Sequence, residues 1–490
     1  MKLQSILQNV FIEHTLTKEQ LDLNIQGIAD NSADVRPHFL FIAISGYRAD
    51  GHRYIDEAVK QGASAVLGEQ DISHLPVPYI KVENSRRALG KATANFYQNS
   101  SKEKVFIGIT GTNGKTTTSY LIRHLLESAG KSCALIGSVQ TIINGQSTNS
   151  RSTTPSALVL HKLLSSSKDD VVVMEVSSHG LEQYRTEGIS FDYCLFTNLS
   201  HDHLDYHHTM ENYYKAKKKL FDYLHERGKA IINTDTAWGE KLAQELKAEG
   251  KTVHSIGMSI ACDAQMCDWK HQDSTIMLHC GSETHSIFSP LAGIHNMYNT
   301  ALAYYTLQQL GLNKSHLRKS LHHFKGVQGR FETLKNTNGA TIVIDYAHTT
   351  DAIEHCLQTA KQLGAKKITH IFGLRGDRDT DKRKAMLAAT CKMSDEYILT
   401  FDDLNSVSST DMIHTLFELQ QTYGNEKGKV IPDRTVAIQR AIENSGNDEW
   451  IIITGKGHER YEQAFLLQTK SDQDTVLFLN NKRKGRIKES

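Results

Sequence analysis

The sequence predicts an α/β protein built from three units, and three observations carry that prediction. Its 490 residues exceed one ordinary domain and suit about three. Short β-branched runs alternate with helical segments along the chain, the rhythm of parallel sheets covered on both faces. A Gly-rich turn carrying Lys-Thr sits between one such strand and the helix after it. Hydrophobic residues make up 39% and charged residues 23%, ordinary for a globular protein.

Residues 1 to about 100 are mixed: "FLFIAISG" and "SAVLGE" read as strands and "HRYIDEAVKQGA" as a helix. The polar stretch Asn99, Ser100, Ser101, Lys102 separates this unit from the strand "VFIGIT". The helix "TTTSYLIRHLLESAG" follows the Gly-rich turn and stops at Gly130. "DVVVMEV", "DYCLFTN" and "KAIIN" are further strands of the buried type. From about residue 332 the rhythm restarts. "TIVIDYAH", "ITHIFG", "EYILTF" and "WIIITG" are strands, and "DAIEHCLQTAKQLG", "DKRKAMLAATCK" and "TVAIQRAIENSG" are helices. The expected units are 1–101, 102–331 and 332–490, the last a Rossmann-like, doubly wound domain, with ligands at strand C-terminal ends and between domains.

The bulk chemistry excludes several classes. A formal net charge of +1 gives no electrostatic footprint for nucleic acid or an anionic membrane. The basic run Lys482, Arg483, Lys484, Arg486, Lys488 reads as a solvated terminus. The start, MKLQSILQNVFIEHTL, lacks the apolar core of a secretory signal, and no apolar stretch is long enough to span a bilayer. The seven cysteines are scattered and odd in number, which fits a reducing compartment. A cytoplasmic, monomeric protein without stable membrane insertion is expected.

The sharpest motif is Ile109-Thr110-Gly111-Thr112-Asn113-Gly114-Lys115-Thr116-Thr117. Glycines let backbone N–H groups close around phosphate oxygens, and the helix N-terminus adds partial positive charge. Lys115 is placed to reach the terminal phosphates of a nucleotide, and the Thr116 hydroxyl to bind Mg²⁺. Ile109 stands where the strict G-x-x-x-x-G-K-[ST] pattern has glycine, so strand–turn–helix context carries the reading. Glu175 ends the strand "VVVMEV", and the next strand runs into Leu199-Ser200-His201-Asp202-His203-Leu204-Asp205-Tyr206-His207-His208. Imidazoles and carboxylates crowded after a strand, downstream of a phosphate loop, suit a hard metal, Mg²⁺ rather than Zn²⁺. In "YYKAKKKLF", Lys215, Lys217, Lys218 and Lys219 read mostly as one solvated helix face.

"TGTNGKTTT", "STTP" (152–155), "MEVSSHGL" (174–181), "TNLSHDHLDYH" (197–207), "YYKAKKKLF" (213–221), "GIHNMYN" (293–299), "GRFE" (329–332), "DYAHTTD" (345–351), "GDRDTDKR" (376–383) and "GKGHE" (455–459) occur in this order. The set resembles the Mur ligase family, specifically UDP-N-acetylmuramoyl-tripeptide synthetases of the MurE type. "LFIAISGYRADGHRYI" is similar to that family's uridine-nucleotide-binding domain.

The resemblance implies an ATP- and Mg²⁺-dependent ligase that adds an amino acid to UDP-N-acetylmuramoyl-L-Ala-D-Glu through an acyl phosphate, in peptidoglycan precursor synthesis. It implies that Gly111 to Thr117, with Lys115 foremost, hold ATP phosphates. Thr116 and Glu175 would bind one Mg²⁺, and His203 with a carbamylated Lys217 a second. Asn296, Arg330 and Asp345, with His348 nearby, match positions around the adenine, phosphate and ribose. Thr153, Thr154, Ser177, Gln183 and Arg185 match the UDP-muramoyl-peptide site, and Ser32 a uridine contact. Ser32 lies in Asn31-Ser32-Ala33, where the family usually has Asp-Ser-Arg. Arg378, Asp402, Asp403, Asn405, Gly455 and Glu459 match the site of the incoming amino acid.

Departures concentrate in that last site. Diaminopimelate-using relatives carry Asp-Asn-Pro-Arg where this chain has Asp402-Asp403-Leu404-Asn405. Losing a charge-assisted fork onto a carboxylate costs roughly 1.5–3 kcal/mol. Asp403 adds a negative charge, which by itself favours a cationic side chain such as lysine or ornithine. Leu374-Arg375 replaces a common Cys-Gly, Thr350 a Pro, and "FLNN" an acidic Phe-Asp-Asp. Two other readings follow. One is a Mur-like ligase of a specialised pathway with another acid or amine, such as a folylpolyglutamate-synthase-like activity. The other is a non-catalytic nucleotide-binding paralogue.

Overall fold

The computed structural model describes residues 1–46, 49–98, 104–270, 274–377 and 380–488. The chain packs as two compact units. The first holds Met1–Thr110, Gly130–Leu195 and Ala216–Ala230; the second holds Gly111–Ala129, Phe196–Lys215 and Ile231–Ser490.

In the first unit, strands Gly27–Ala29, Phe39–Ile42, Ala63–Gly68 and Tyr79–Lys81 form an all-parallel sheet in chain order. Alternation divides its faces. Leu40 and Ile42 pack with Leu3, Ile6 and Leu89, while Phe41 packs with Ile55 and Ala58 on the other side. The segment read as the helix "HRYIDEAVKQGA" begins with a 3₁₀ turn, Gly51–Tyr54, and becomes α-helical over Ile55–Lys60. In the same unit Val105–Thr110 and Cys133–Ile136 pair in parallel with opposite edges of Val171–Glu175. A β-meander, Gln140–Ile143 and Gln146–Asn149, extends that edge antiparallel. Val171 to Glu175 are all buried, as expected of a strand covered on both faces.

In the second unit the phosphate loop leads into helix Lys115–Ser128, which packs with helix Ile294–Gln309. The restarted rhythm after residue 332 gives a six-stranded sheet. Its order is Glu332–Lys335, Thr341–Asp345, Glu449–Thr454, Lys367–Leu374, Glu396–Phe401, Gly428–Val430, with only the first strand antiparallel. Period two again sorts the faces. Val343, Phe372, Leu399 and Ile452 face helices Thr350–Gln362, Lys382–Met393 and Ser409–Tyr423. Ile344, Ile371, Ile398 and Ile453 face Arg434–Asn444 and Asp472–Lys488. The sheet is doubly wound, so its parallel strands present their C-terminal ends on one side.

Each unit buries a neutral histidine. His161 Nε2 lies 2.8 Å from the Glu187 carbonyl, and His370 is held between the Thr390 and Thr454 hydroxyls at 3.0 and 2.9 Å. Burial, the dominant cause, pushes their pKa values down to about 4 and about 3. Below pH 6.5 the unfolded chain takes up protons that the folded chain refuses, so stability falls as pH drops. Each histidine should cost about 2 kcal/mol by pH 5. Urea unfolding at pH 7.5 and pH 5 checks this: His161→Gln and His370→Gln should flatten the pH dependence, and a wild type equally stable at both values refutes it.

Candidate active site

The phosphate loop is built by its glycines. Gly111 has φ 148° and Gly114 φ 86°; a Cβ at Gly111 would collide with the Thr197 hydroxyl, and one at Gly114 with the Asn299 amide. Ile109 pairs with Glu175 inside the strand, so the loop proper starts at Gly111 and the missing glycine removes nothing from it. Asn113 is gripped by the loop after strand Phe191–Phe196: its N–H donates to Asn198 Oδ1 at 2.9 Å and its carbonyl accepts from Thr197 Oγ1 at 2.6 Å. Lys115 Nζ caps the loop's own carbonyls, Gly111 at 2.7 Å and Thr112 at 2.8 Å. Asn113 Nδ2 also reaches Thr349 Oγ1 and Asp351 Oδ2, at 3.4 and 3.2 Å. Arg330 Nη2 donates to Thr116 Oγ1 at 3.1 Å, and its guanidinium lies over the Tyr346 ring, 4.4 Å from the centroid.

These contacts enclose a cavity of about 350 Å³, lined by Asn113, Gly114, Thr117, Asn296, Arg330, Asp345 and His348, among others. Seven of the residues expected around a nucleotide, scattered over the sequence, thus line one space of ligand size, while Gly111, Thr112, Lys115 and Thr116 are not among its lining residues. Both Asp345 oxygens are taken by backbone, Phe331 N–H at 2.6 Å and Ala347 N–H at 2.7 Å; burial nevertheless raises its pKa against the pull of Arg330. Within the same cavity the His355–Asp351 pair, 3.2 Å apart, stands beside His295.

A second cavity, about 90 Å³, shares Tyr346 and His348 with the first. Its walls are the C-terminal ends of parallel strands: Arg375 follows Lys367–Leu374, Asp402 follows Glu396–Phe401, and Gly455 follows Glu449–Thr454. Gly455 has φ 108°, a conformation that strains any other residue. Arg375 binds Asp402 Oδ1 through Nε and Nη2 at 3.3 and 3.2 Å, Asp403 Oδ2 at 3.1 Å, and Glu459 Oε2. Lys456 Nζ donates to Asp403 Oδ1 at 2.5 Å. Burial would raise the Asp402 pKa, but Arg375 and Lys456 outweigh it and hold the carboxyl below its ordinary range. On the opposite wall Asp202, 3% exposed, accepts from Lys382 at 3.0 Å and lies 3.3 and 3.4 Å from His203 and His348. The neighbouring His203, His348 and Lys382 side chains outweigh desolvation and hold the Asp202 pKa well below the usual carboxylate range.

Asp403 is ion-paired rather than free: Lys456 and Arg375 both contact it, and these two cations are shared among the three carboxylates Asp402, Asp403 and Glu459. Asn405, with φ 52°, spends its amide on the Gly376 carbonyl at 2.6 Å. Arg378 lies outside the described residues.

The first unit gathers a third constellation. Glu175, fully buried, accepts from the Ser138 N–H and hydroxyl, both at 3.0 Å, and Ser138 Oγ meets Thr153 Oγ1 at 3.0 Å. Thr154 Oγ1 donates to the Glu175 carbonyl and accepts from Ser177 N–H, each at 3.0 Å. Arg185 donates to the Thr154 carbonyl at 2.6 Å and to Gln183 Oε1 at 2.7 Å. Ser32 is not hydrogen-bonded to this group; its hydroxyl donates to Glu57 at 3.0 Å. Lys217 is 1% exposed on helix Met210–Lys218, whereas Lys215 is exposed, so burial separates it from the solvated face expected of its neighbours.

Three family models match in order: Mur ligase family catalytic domain at 24–97, Mur ligase middle domain at 109–307, and Mur ligase glutamate ligase domain at 329–457. The UDP-N-acetylmuramoyl-L-alanyl-D-glutamate–2,6-diaminopimelate ligase of Syntrophomonas wolfei is 36% identical over 94% of this chain and 95% of its own. The chain belongs to the Mur ligase family. A solved structure of a ligase with the same printed name superposes with TM-score 0.68 at 25% identity, covering 99% of both chains. A MurF ligase from Thermotoga maritima in complex with ADP superposes at 0.65 with 18% identity, covering 95% of this chain and 99% of that one, which speaks to the fold. As a Mur ligase the chain is an ATP-using enzyme.

Around these groups of the Mur ligase stand further residues whose contacts the sequence does not signal. Ser138 holds Glu175 from a loop with no motif. Lys382 and Lys456 lay inside quoted motifs, yet only the fold shows that they are ion-paired with Asp202 and Asp403. Arg375 was visible only as a departure. The backbone leaves another trace: His203, Phe331, Asp377 and Asn405 adopt left-handed φ of 55°, 46°, 51° and 52°. Such conformations cost non-glycine residues about 1–2 kcal/mol.

Proposed function

We propose that this enzyme ligates an amino acid, a diamino acid by preference, to the D-Glu γ-carboxylate of UDP-N-acetylmuramoyl-L-Ala-D-Glu, using ATP. The observation that carries the reading is the shared wall: the cavity above the phosphate loop and the cavity at the strand ends both contain Tyr346 and His348. Nucleotide and acceptor amine would meet there. The relatives' printed substrates supply the acid.

In this reading Gly111 to Thr117 bind the ATP phosphates, and Asn296, Arg330 and Asp345, with His348 nearby, hold its adenine, phosphate and ribose regions. Thr153, Thr154, Ser177, Gln183 and Arg185 hold the UDP-muramoyl dipeptide, with Ser32 toward the uridine. A γ-carboxylate oxygen bonds to the ATP γ-phosphorus as the bond to ADP breaks, and Lys115 offsets the charge on the transferring oxygens. The amine nitrogen then bonds to the acyl carbon, and phosphate and a proton leave. Catalysis rests on positioning rather than on a protein nucleophile.

Among the described residues no three His, Cys, Asp or Glu side chains converge on a metal site. Of the proposed donors, the Thr116 hydroxyl and the Glu175 carboxylate are hard oxygens, as a carbamylated Lys217 would be, and that donor chemistry suits Mg²⁺. When bound, Mg²⁺ neutralises charge on the phosphate oxygens. Modules 1–101, 102–331 and 332–490 divide the tasks into UDP-substrate, ATP and amino-acid binding. No helix among the described residues is long and apolar enough to cross a membrane. The proposed location is the cytoplasm, and the proposed state a monomer.

Phosphate release with ATP, Mg²⁺ and the UDP-linked dipeptide tests this across lysine, ornithine and diaminopimelate. One amino acid should stimulate release and appear in the product mass. ATP binding with no stimulation by any amino acid would refute the substrate assignment.

A further inference from the structure

We infer that Arg375 reads a carboxylate of the incoming amino acid; this rests on the acceptor cavity proposed above. Its guanidinium is fixed along one edge: Nε and Nη2 are spent on Asp402, Asp403 and Glu459. Nη1 takes no hydrogen-bond partner among the described residues, and the side chain, 23% exposed, lines the second cavity. Three carboxylates thus hold a planar fork in one orientation and leave two N–H donors toward the space beside Tyr346, His348 and Gly455.

Neighbouring groups sharpen the assignment. Asn405 is neutral and engaged with Gly376 O, so it supplies no charge. Lys382 is committed to Asp202, and Lys456, 1% exposed, to Asp403. Arg383 Nη2 donates to the Arg375 carbonyl at 2.9 Å, which pins the Arg375 backbone as well. Among the described residues Arg375 is thus a cation whose geometry is fixed while a donor face remains for a ligand. An arginine held in place loses little entropy when it binds, and charge-assisted bonds to carboxylate are the strong ones.

The test is calorimetric binding of diaminopimelate, lysine and lysinamide to the full-length protein with ADP, alongside phosphate release with the complete substrate set. In wild type, one removal of a carboxylate, diaminopimelate to lysine or lysine to lysinamide, should weaken binding about 10- to 100-fold. Arg375→Met should reduce that ratio to near one, and Arg375→Lys, which keeps the charge without the fork, should restore part of it. The ratio is internal to each variant, so a general loss of stability does not mimic it. If wild type does not discriminate, or either variant keeps the full ratio, the inference is overturned. Stimulated phosphate release with an unchanged ratio sinks this assignment alone; absence of both release and amino-acid binding sinks the ligase reading with it.

Discussion

Lys217→Ala is expected to lower turnover by about 10³-fold or more while leaving ATP affinity largely intact. Lysine is seldom buried so completely, and this one lies between exposed Lys215 and half-buried Lys218 on the same short helix. As a carbamate it would be an anionic oxygen donor of the kind a hard metal takes. Turnover of the wild type should then fall when bicarbonate and dissolved CO₂ are removed, and recover on their return. Lys115→Ala should cost about 10²–10³-fold by removing a cation from the transferring phosphoryl group. A Lys217→Ala enzyme with near-normal turnover would dismiss the carbamate role, and loss of ATP binding with it would point to a purely structural lysine.

Arg434→Ala or Asp472→Ala should destabilise the second unit by about 3–5 kcal/mol. Both residues are completely buried, and they form a two-pronged pair with Nε–Oδ1 and Nη2–Oδ2 at 2.7 Å. Nη2 also donates to the Thr454 carbonyl at 2.9 Å, at the end of the strand that leads to Gly455 and Lys456. Removing either partner strands a charge without water. Since whole domains are stable by only 5–15 kcal/mol, the loss should appear as a large drop in urea midpoint. The double replacement by well-packed apolar residues should recover part of it, because the pair bears a desolvation cost of its own. Unchanged midpoints in both single variants would show that the pair is not holding the last helix to the sheet.

Local chemistry was sufficient for the elements and for the glycine-built turn between strand Val105–Thr110 and helix Lys115–Ser128. Period-two runs such as "TIVID" and "WIIIT" determine strands with two apolar faces, and Gly111, Gly114 and Lys115 announce their use because the backbone needs those residue types at that spacing. The order of motifs was sufficient for the family. What only the tertiary structure decided is which charges remain available. Asp403 reads in sequence as an unpartnered anion, yet Lys456, 53 positions away, is ion-paired with it. Arg375 reads as a stray replacement, yet three carboxylates from two other loops orient it into a cavity. Lys217 looks like its neighbours until burial sets it apart. Electrostatic roles depend on distance and solvent exclusion between residues remote in the chain, and no local pattern encodes either one.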